Sequence, residues 1–219
     1  MKKIGILASY NGSGFETIQK AINRGILDAK VCVIITNNSN AGVLQKAKDY
    51  NIEAFVVNSK LFPNENLDEK IANILKSFSC DYIFLSGYMK KIEENMLKSF
   101  ENKIINTHPA LLPSIYGGAG MYGHFVHEAV VKNGEKKSGV TIHYVNENYD
   151  DGEIILKKEL ILDENETALS LEARIKELEK VAIVEAFQKV LSAENWLRNT
   201  EYGKRGYHFV RFSFATFLY

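Results

Sequence analysis

Short, β-branched apolar runs alternate with longer stretches at helical spacing along most of this chain. That alternation leaves few folds open, because parallel strands must be joined by crossover helices. Ile4 to Ala8 reads as a first strand; Phe15, Ile18 and Ile22 then fall on one helix face, with Gly25 where a C-terminal cap belongs. Val31 to Thr36 is almost wholly apolar, as a strand covered on both faces should be. A helix over 41–50 and a strand over 54–57 follow. Leu67, Ile71, Ile74, Leu75 and Phe78 then mark a third helical face and Tyr82 to Leu85 a fourth buried strand. Beyond these the pattern predicts a short helix over 93–100, a strand over 104–106, a Gly- and Pro-containing loop over 109–123, a helix over 127–132, strands over 139–145 and 153–162, and a long amphipathic helix over 167–191. The expected class is α/β.

Composition narrows the partners. The chain has 219 residues, 46% of them hydrophobic and only 3 prolines, the profile of one compact unit or at most two. With 27 basic and 27 acidic side chains its net charge is zero, so no global positive field exists to hold nucleic acid or an acidic membrane. Any anion must be bound by local devices. No apolar run approaches the ~18 residues of a membrane span, and the N-terminal MKKIGILAS is too short and broken for a signal peptide. Cys32 and Cys80 lie in apolar runs and are expected to be buried, reduced thiols of a cytoplasmic protein.

Three motifs can carry chemistry. Asn11-Gly12-Ser13-Gly14 follows the first strand and opens the first helix, where small residues and free N–H groups suit a phosphate; an ordinary capped turn is equally consistent with the residues. It is neither a dinucleotide fingerprint nor a Lys-containing phosphate loop. Asn106-Thr107-His108-Pro109 ends a central strand, where doubly wound sheets place their ligand crevices. Asn106 and His108 share a strand face, and the pair could donate to an oxygen that gains charge, although a strand-end His is often structural. Tyr149-Asp150-Asp151-Gly152 is first a turn signal and second a source of a carboxylate that could raise a nearby histidine pKa. His124 and His127 have no further ligand near them, so solvated or capping roles are expected and no metal. Lys176 and Glu179, one turn apart, read as a surface ion pair.

Taken in order and spacing, these pieces resemble the phosphoribosylglycinamide formyltransferases, small folate-dependent enzymes of purine synthesis. The resemblance covers about residues 1–191. It is carried by NTHPALLP at Asn106 to Pro113, GMYGHFVHEAV at Gly120 to Val130, and GVTIHYVNENYDDGEII at Gly139 to Ile155. It implies a doubly wound, mostly parallel sheet with helices on both faces. It also implies 10-formyltetrahydrofolate as formyl donor, glycinamide ribonucleotide as acceptor and no metal. The family's catalytic Asn, His and Asp fall on Asn106, His108 and Asp150, with Asp151 the fallback. Its phosphate contacts fall on Asn11, Gly12, Ser13 and Gly14. Its ribonucleotide-holding Lys and Glu fall on Lys176 and Glu179, which replaces the ion-pair reading. Its folate contacts fall on Tyr88, Met89, Lys90, Ile92, Asn146 and Asp150. In the implied mechanism Asp150 keeps His108 protonated, and His108 and Asn106 stabilise the oxyanion.

The sequence departs from the family at two places: Gly14 stands where many relatives have Asn, and Phe62 to Asn66 offers no Arg. Similar catalytic cores occur in methionyl-tRNA formyltransferase, formyltetrahydrofolate hydrolase and sugar-nucleotide formyltransferases; a non-catalytic folate or phosphometabolite sensor is a further reading. The expected organisation is one domain over 1–191, as monomer or homodimer, with an aromatic, basic tail over 192–219. The stretch YHFVRFSFATFLY in that tail has strand propensity, so an edge strand or hairpin is expected there, or else a non-native extension.

Overall fold

A computed structural model of the chain describes residues 1–203, with side chains over 1–192. The elements are β1 (Lys2–Ala8), α1 (Ser13–Asn23), β2 (Ala29–Thr36), α2 (Val43–Asp49), β3 (Ala54–Val56), α3 (Leu67–Ser77), β4 (Tyr82–Leu85), α4 (Glu94–Ser99), β5 (Ile104–His108), α5 (His124–Lys132), β6 (Lys137–Tyr144), β7 (Ile154–Ile161) and α6 (Ala168–Gly203). The strands form one sheet of seven in the order β3-β2-β1-β4-β5-β6-β7. Pairing is parallel from β3 to β5 and antiparallel from β5 through β6 to β7.

The sheet separates two apolar layers, and strand periodicity decides which side chain joins which layer. Ile4, Ile6 and Ala8 of β1 pack with Phe15 and Ile18 of α1, Val126 of α5 and Phe187 of α6. Leu7, between them in sequence, points the other way onto Ile71 and Leu75 of α3 and Met96 of α4. Helices therefore cover both faces, as the α/β doubly wound expectation requires. Phe84 of β4 and Phe187 of α6 meet edge to face at 5.4 Å, which fixes α6 over the sheet centre; such a pair contributes about 1 kcal/mol beyond its buried area.

Of the boundaries that differ from the sequence reading, three bear on the site and the domain. β5 continues to His108, because its last residues pair with β6, and α5 starts three residues early at His124. α6 runs on past Leu191, through the domain boundary expected there. The YHFVRFSFATFLY stretch lies outside the described residues. Cys32 and Cys80 carry free thiols, but they are half-buried rather than buried, and their Sγ atoms approach to 3.1 Å.

From β1 the chain winds outward to β2 and β3, then returns to place β4 on the other side of β1. This reversal opens a crevice outside the carboxyl ends of β1 and β4, the usual ligand position of such sheets.

Candidate active site

The crevice is a cavity of about 490 Å³, with Ser13 and Gly14 at one end and Asn106, His108 and Asp150 at the other. The first end is made of backbone. Gly12 adopts a left-handed conformation (φ 58°) and caps α1 without a side-chain bond, so the chain turns sharply from β1 into the helix. Of the first-turn N–H groups, that of Phe15 donates to Ser86 Oγ and that of Glu16 to the Gly12 carbonyl. Those of Ser13 and Gly14 have no partner among the described residues, and both residues line the cavity. Free N–H groups at the positive end of a helix dipole suit an anion. Asn11 and Gly12 shape this turn but do not line the cavity; Asn11 instead covers Gly42.

The second end is made of side chains. Asn106 and His108 leave β5 on one face and stand opposite His143 and Thr141 of β6. His108 is buried, and its Nε2 lies 2.6 Å from the Tyr116 carbonyl. A carbonyl can only accept, so Nε2 carries the proton and Nδ1 is the nitrogen that titrates. Nδ1 faces Asp150 Oδ2 at 3.4 Å. The Tyr116 carbonyl is itself held, because the Tyr116 hydroxyl donates to Glu135 and accepts from Asn133.

Asp150 sits in a left-handed turn (φ 56°) and accepts from the Gly118 N–H at 2.9 Å. Burial works to raise its pKa, but His143, His108 and the Gly118 N–H together hold the carboxyl below its ordinary range. For His108 the balance is reversed: burial lowers its pKa and outweighs the raising effects of Asp150 and the Tyr116 carbonyl. Burial thus works against the expectation that Asp150 keeps this imidazole protonated. In its neutral form His108 carries the lone pair on Nδ1, and Asp150 is placed to stabilise the cation. Asp151 binds Asn148 at the surface and does not reach His108.

His143 was not singled out by sequence reasoning. Its Nδ1–H donates to the Tyr144 carbonyl at 2.8 Å, which leaves Nε2 to accept from Asn106 Nδ2 at 3.2 Å. That bond sets the orientation of the Asn106 amide and leaves its second N–H for a ligand. Only the antiparallel register of β5 on β6 could have revealed it.

Lys176 and Glu179 both line the cavity, but they do not pair with each other. Lys176 Nζ bonds Glu172 at 2.6 Å, and Glu179 accepts from the Thr107 hydroxyl at 3.1 Å. Burial raises the Glu179 pKa against the opposing pull of Thr107 and Lys176. His124 bonds Glu172 at 2.7 Å, whereas His127 is buried, contrary to the solvated or capping role expected for it.

A narrow slot of about 90 Å³ opens beside Asn106 and Asp150, walled by Leu85, Ile92 and Val145 and edged by Tyr88, Lys90 and Asn146. Its apolar walls and polar edge suit a flat heterocycle. Burial, followed by Asp68, pushes the Tyr88 hydroxyl up to about 12, so it stays neutral. Met89 lines the larger cavity and not the slot. A wider cleft of about 600 Å³ between α3 and Lys90 shares Tyr88 and Ile92 with the slot but holds none of Asn106, His108 or Asp150. Among the described residues no group of three or more His, Cys, Asp or Glu could hold a metal ion.

A buried strand-end His and a half-buried Asn beside a loop carboxylate, on a doubly wound sheet with free helix N–H groups at its switch point, suit group transfer. Comparison with known proteins identifies the class: the family model described as formyl transferase matches residues 2–187, and the chain belongs to that family. It is 36% identical over 193 residues to the chloroplastic phosphoribosylglycinamide formyltransferase of Vigna unguiculata, covering 85% of this chain and 60% of the relative. It is 32% identical over 196 residues to the phosphoribosylglycinamide formyltransferase of Bacillus subtilis (strain 168), covering 89% and 97%. The crystal structure of phosphoribosylglycinamide formyltransferase from Bacillus halodurans superposes with a TM-score of 0.80 at 30% identity, covering 87% of this chain and 96% of that one. The chain thus spans about three fifths of the plant relative and nearly all of the bacterial one.

Proposed function

We propose that this chain transfers the formyl group of 10-formyltetrahydrofolate to the amine of 5′-phosphoribosylglycinamide, a step of de novo purine biosynthesis. The observation that carries the reading is the convergence of Asn106, His108 and Asp150 at one end of a cavity whose other end is a free helix N-terminus flanked by Lys176. That arrangement of groups suits an acceptor with an amine at one end and a phosphate at the other.

In this reading Ser13 and Gly14 hold the phosphate with their N–H groups, beside the Lys176 ammonium, and Asn11 and Gly12 shape the turn that presents them. Glu179, tied to Thr107, faces the ribose. The slot edged by Tyr88, Lys90, Ile92 and Asn146, together with Met89, takes the folate heterocycle. The free Asn106 N–H donates to the formyl oxygen as it gains charge. His108 Nδ1 takes the proton released by the attacking nitrogen, Asp150 stabilises the imidazolium formed, and that proton passes, directly or through water, to the folate nitrogen as its bond to the formyl carbon breaks. Half-buried free thiols at Cys32 and Cys80 support a reducing, cytoplasmic setting.

The test is a spectrophotometric assay that follows release of the folate product from the formyl donor, with and without the ribonucleotide. Turnover that depends on the ribonucleotide is expected. Equal product without it would make the chain a hydrolase, and folate binding without turnover would point to another acceptor or to a sensor.

A further inference from the structure

His127 of α5 has only 2% of its surface accessible, and its Nδ1 is buried with no hydrogen-bond partner among the described residues. Buried polar groups in native proteins are paired, so an orphaned nitrogen calls for a partner beyond the described residues. The sliver of the ring that is accessible belongs to the wall of the main cavity, the wall it shares with Ser13, Gly14 and Lys176. The Ser13 and Gly14 N–H groups are left free for an anion, and Lys176, bonded to Glu172, adds its charge to the same wall. The free helix N–H groups and the orphaned histidine are independent observations on residues that line one cavity.

We propose that His127 is a direct ligand of the acceptor's phosphate and takes up a proton from solvent as that group binds. The inference rests on the phosphoribosyl reading of the site. The charged and titratable groups that act on the ring are Glu172 and Lys176 from α6, His124 from its own helix and His108 from the end of β5. Burial lowers its pKa first, and of these neighbours only Glu172 opposes. Without an anion the ring is therefore neutral near pH 7. A phosphate monoester, largely dianionic above its second pKa near 6, reverses that balance by adding negative charge at contact distance. Binding then drives protonation by linkage. A neutral ligand of the same shape would leave the ring as it is.

The experiment is calorimetric titration of the whole chain with ribose 5-phosphate at pH 7.5, in two buffers of different ionisation heat. It uses the natural protein, His127→Ala and His127→Gln, with ribose as the uncharged control. The natural protein should show buffer-dependent heat corresponding to uptake of up to about one proton. His127→Ala should bind ribose 5-phosphate roughly ten- to a hundredfold more weakly and lose the buffer dependence. His127→Gln, an uncharged donor, should recover part of the affinity and none of the proton uptake, and it serves as the readout should the Ala variant fail to fold.

Three results would overturn the inference: unchanged affinity in both variants, the same loss for ribose as for ribose 5-phosphate, or no binding of ribose 5-phosphate to the natural protein. Formyl transfer separates this from the reading beneath it. His127-dependent phosphate binding without ribonucleotide-dependent turnover sinks the acceptor assignment alone. Full turnover with an unmoved ribonucleotide KM in His127→Gln and His127→Ala sinks the His127 assignment alone.

Discussion

The two ends of the cavity are built by different means. At the α1 end, two main-chain N–H groups of the first helical turn are left without a partner among the described residues, and the residues that matter act by letting the backbone turn and by leaving room. At the β5 end, every functional atom belongs to a side chain, each aimed by a second group: His108 by the Tyr116 carbonyl, Asn106 by His143, Asp150 by the Gly118 N–H. A backbone site tolerates any side chain that keeps the turn, so substitutions there should act through conformation and binding. A side-chain site fails when one atom is lost, so substitutions here should act on the chemical step.

The sharpest way to break that comparison is His108→Ala. If the chemical end works as drawn, kcat should fall by roughly 10³- to 10⁴-fold, the range of a lost general base with its oxyanion partner, with ribonucleotide KM little changed. Steady-state kinetics beside a melting curve would decide it, and near-natural turnover would refute the role of His108. Asp150→Asn should follow at about a hundredfold. The sign of its pH effect is worked from the two groups. His108 acts as the neutral base, so activity is present above its pKa and lost as pH falls through it. That pKa lies below 6.5, and Asp150 contributes to raising it. Removing the carboxylate lets the pKa drop further, so the acid limb of the pH–rate profile should move to lower pH. A limb that moves up, or stays in place, would contradict the contact between them.

His143→Leu sharpens the comparison, because His143 orients Asn106 at 3.2 Å and stands 3.6 Å from Asp150 without lining the main cavity. Loss of the orienting bond should reduce kcat roughly tenfold, about 1.4 kcal/mol, without moving ribonucleotide KM. His143→Gln, whose side-chain oxygen can accept from the same amide, should restore part of the rate. Equal damage from both variants would mean that His143 serves packing and not the amide.

What could be read in the sequence divides along the same line. The βα rhythm was legible because a sheet buried on both faces forces apolar runs, and Asn106 and His108 were legible as a pair because strand side chains two apart share a face. His143 was not, since its meeting with Asn106 depends on the register of β5 on β6, which no local pattern encodes. The approach of Asp150 to His108 came only from the family resemblance. The burial that lowers the His108 pKa was not legible because desolvation is a property of packing: the carboxylate could be seen in sequence and the surrounding burial could not. For the same reason His127 looked like a solvated helix residue.

Gly14, where the family resemblance implies Asn, supplies the smallest and most diagnostic test. A Cβ at this position would lie 2.8 Å from Phe84 Cε1 and 3.1 Å from Ser86 Oγ. Phe84 is fully buried and locked edge to face against Phe187, so its ring has little room to yield. Ser86 Oγ accepts the Phe15 N–H of α1, so it too is committed. The glycine is thus a packing requirement of this chain's own Phe84. Gly14→Asn should lower stability by about 1–3 kcal/mol, the usual penalty of overpacking a filled core, and weaken ribonucleotide binding while kcat at saturation changes little. Replacing Phe84 by Leu in the same background should return part of the lost stability by clearing the space. If Gly14→Asn instead reduces kcat as steeply as Asp150→Asn, the anion end is taking part in the chemical step, and the division between the two ends fails.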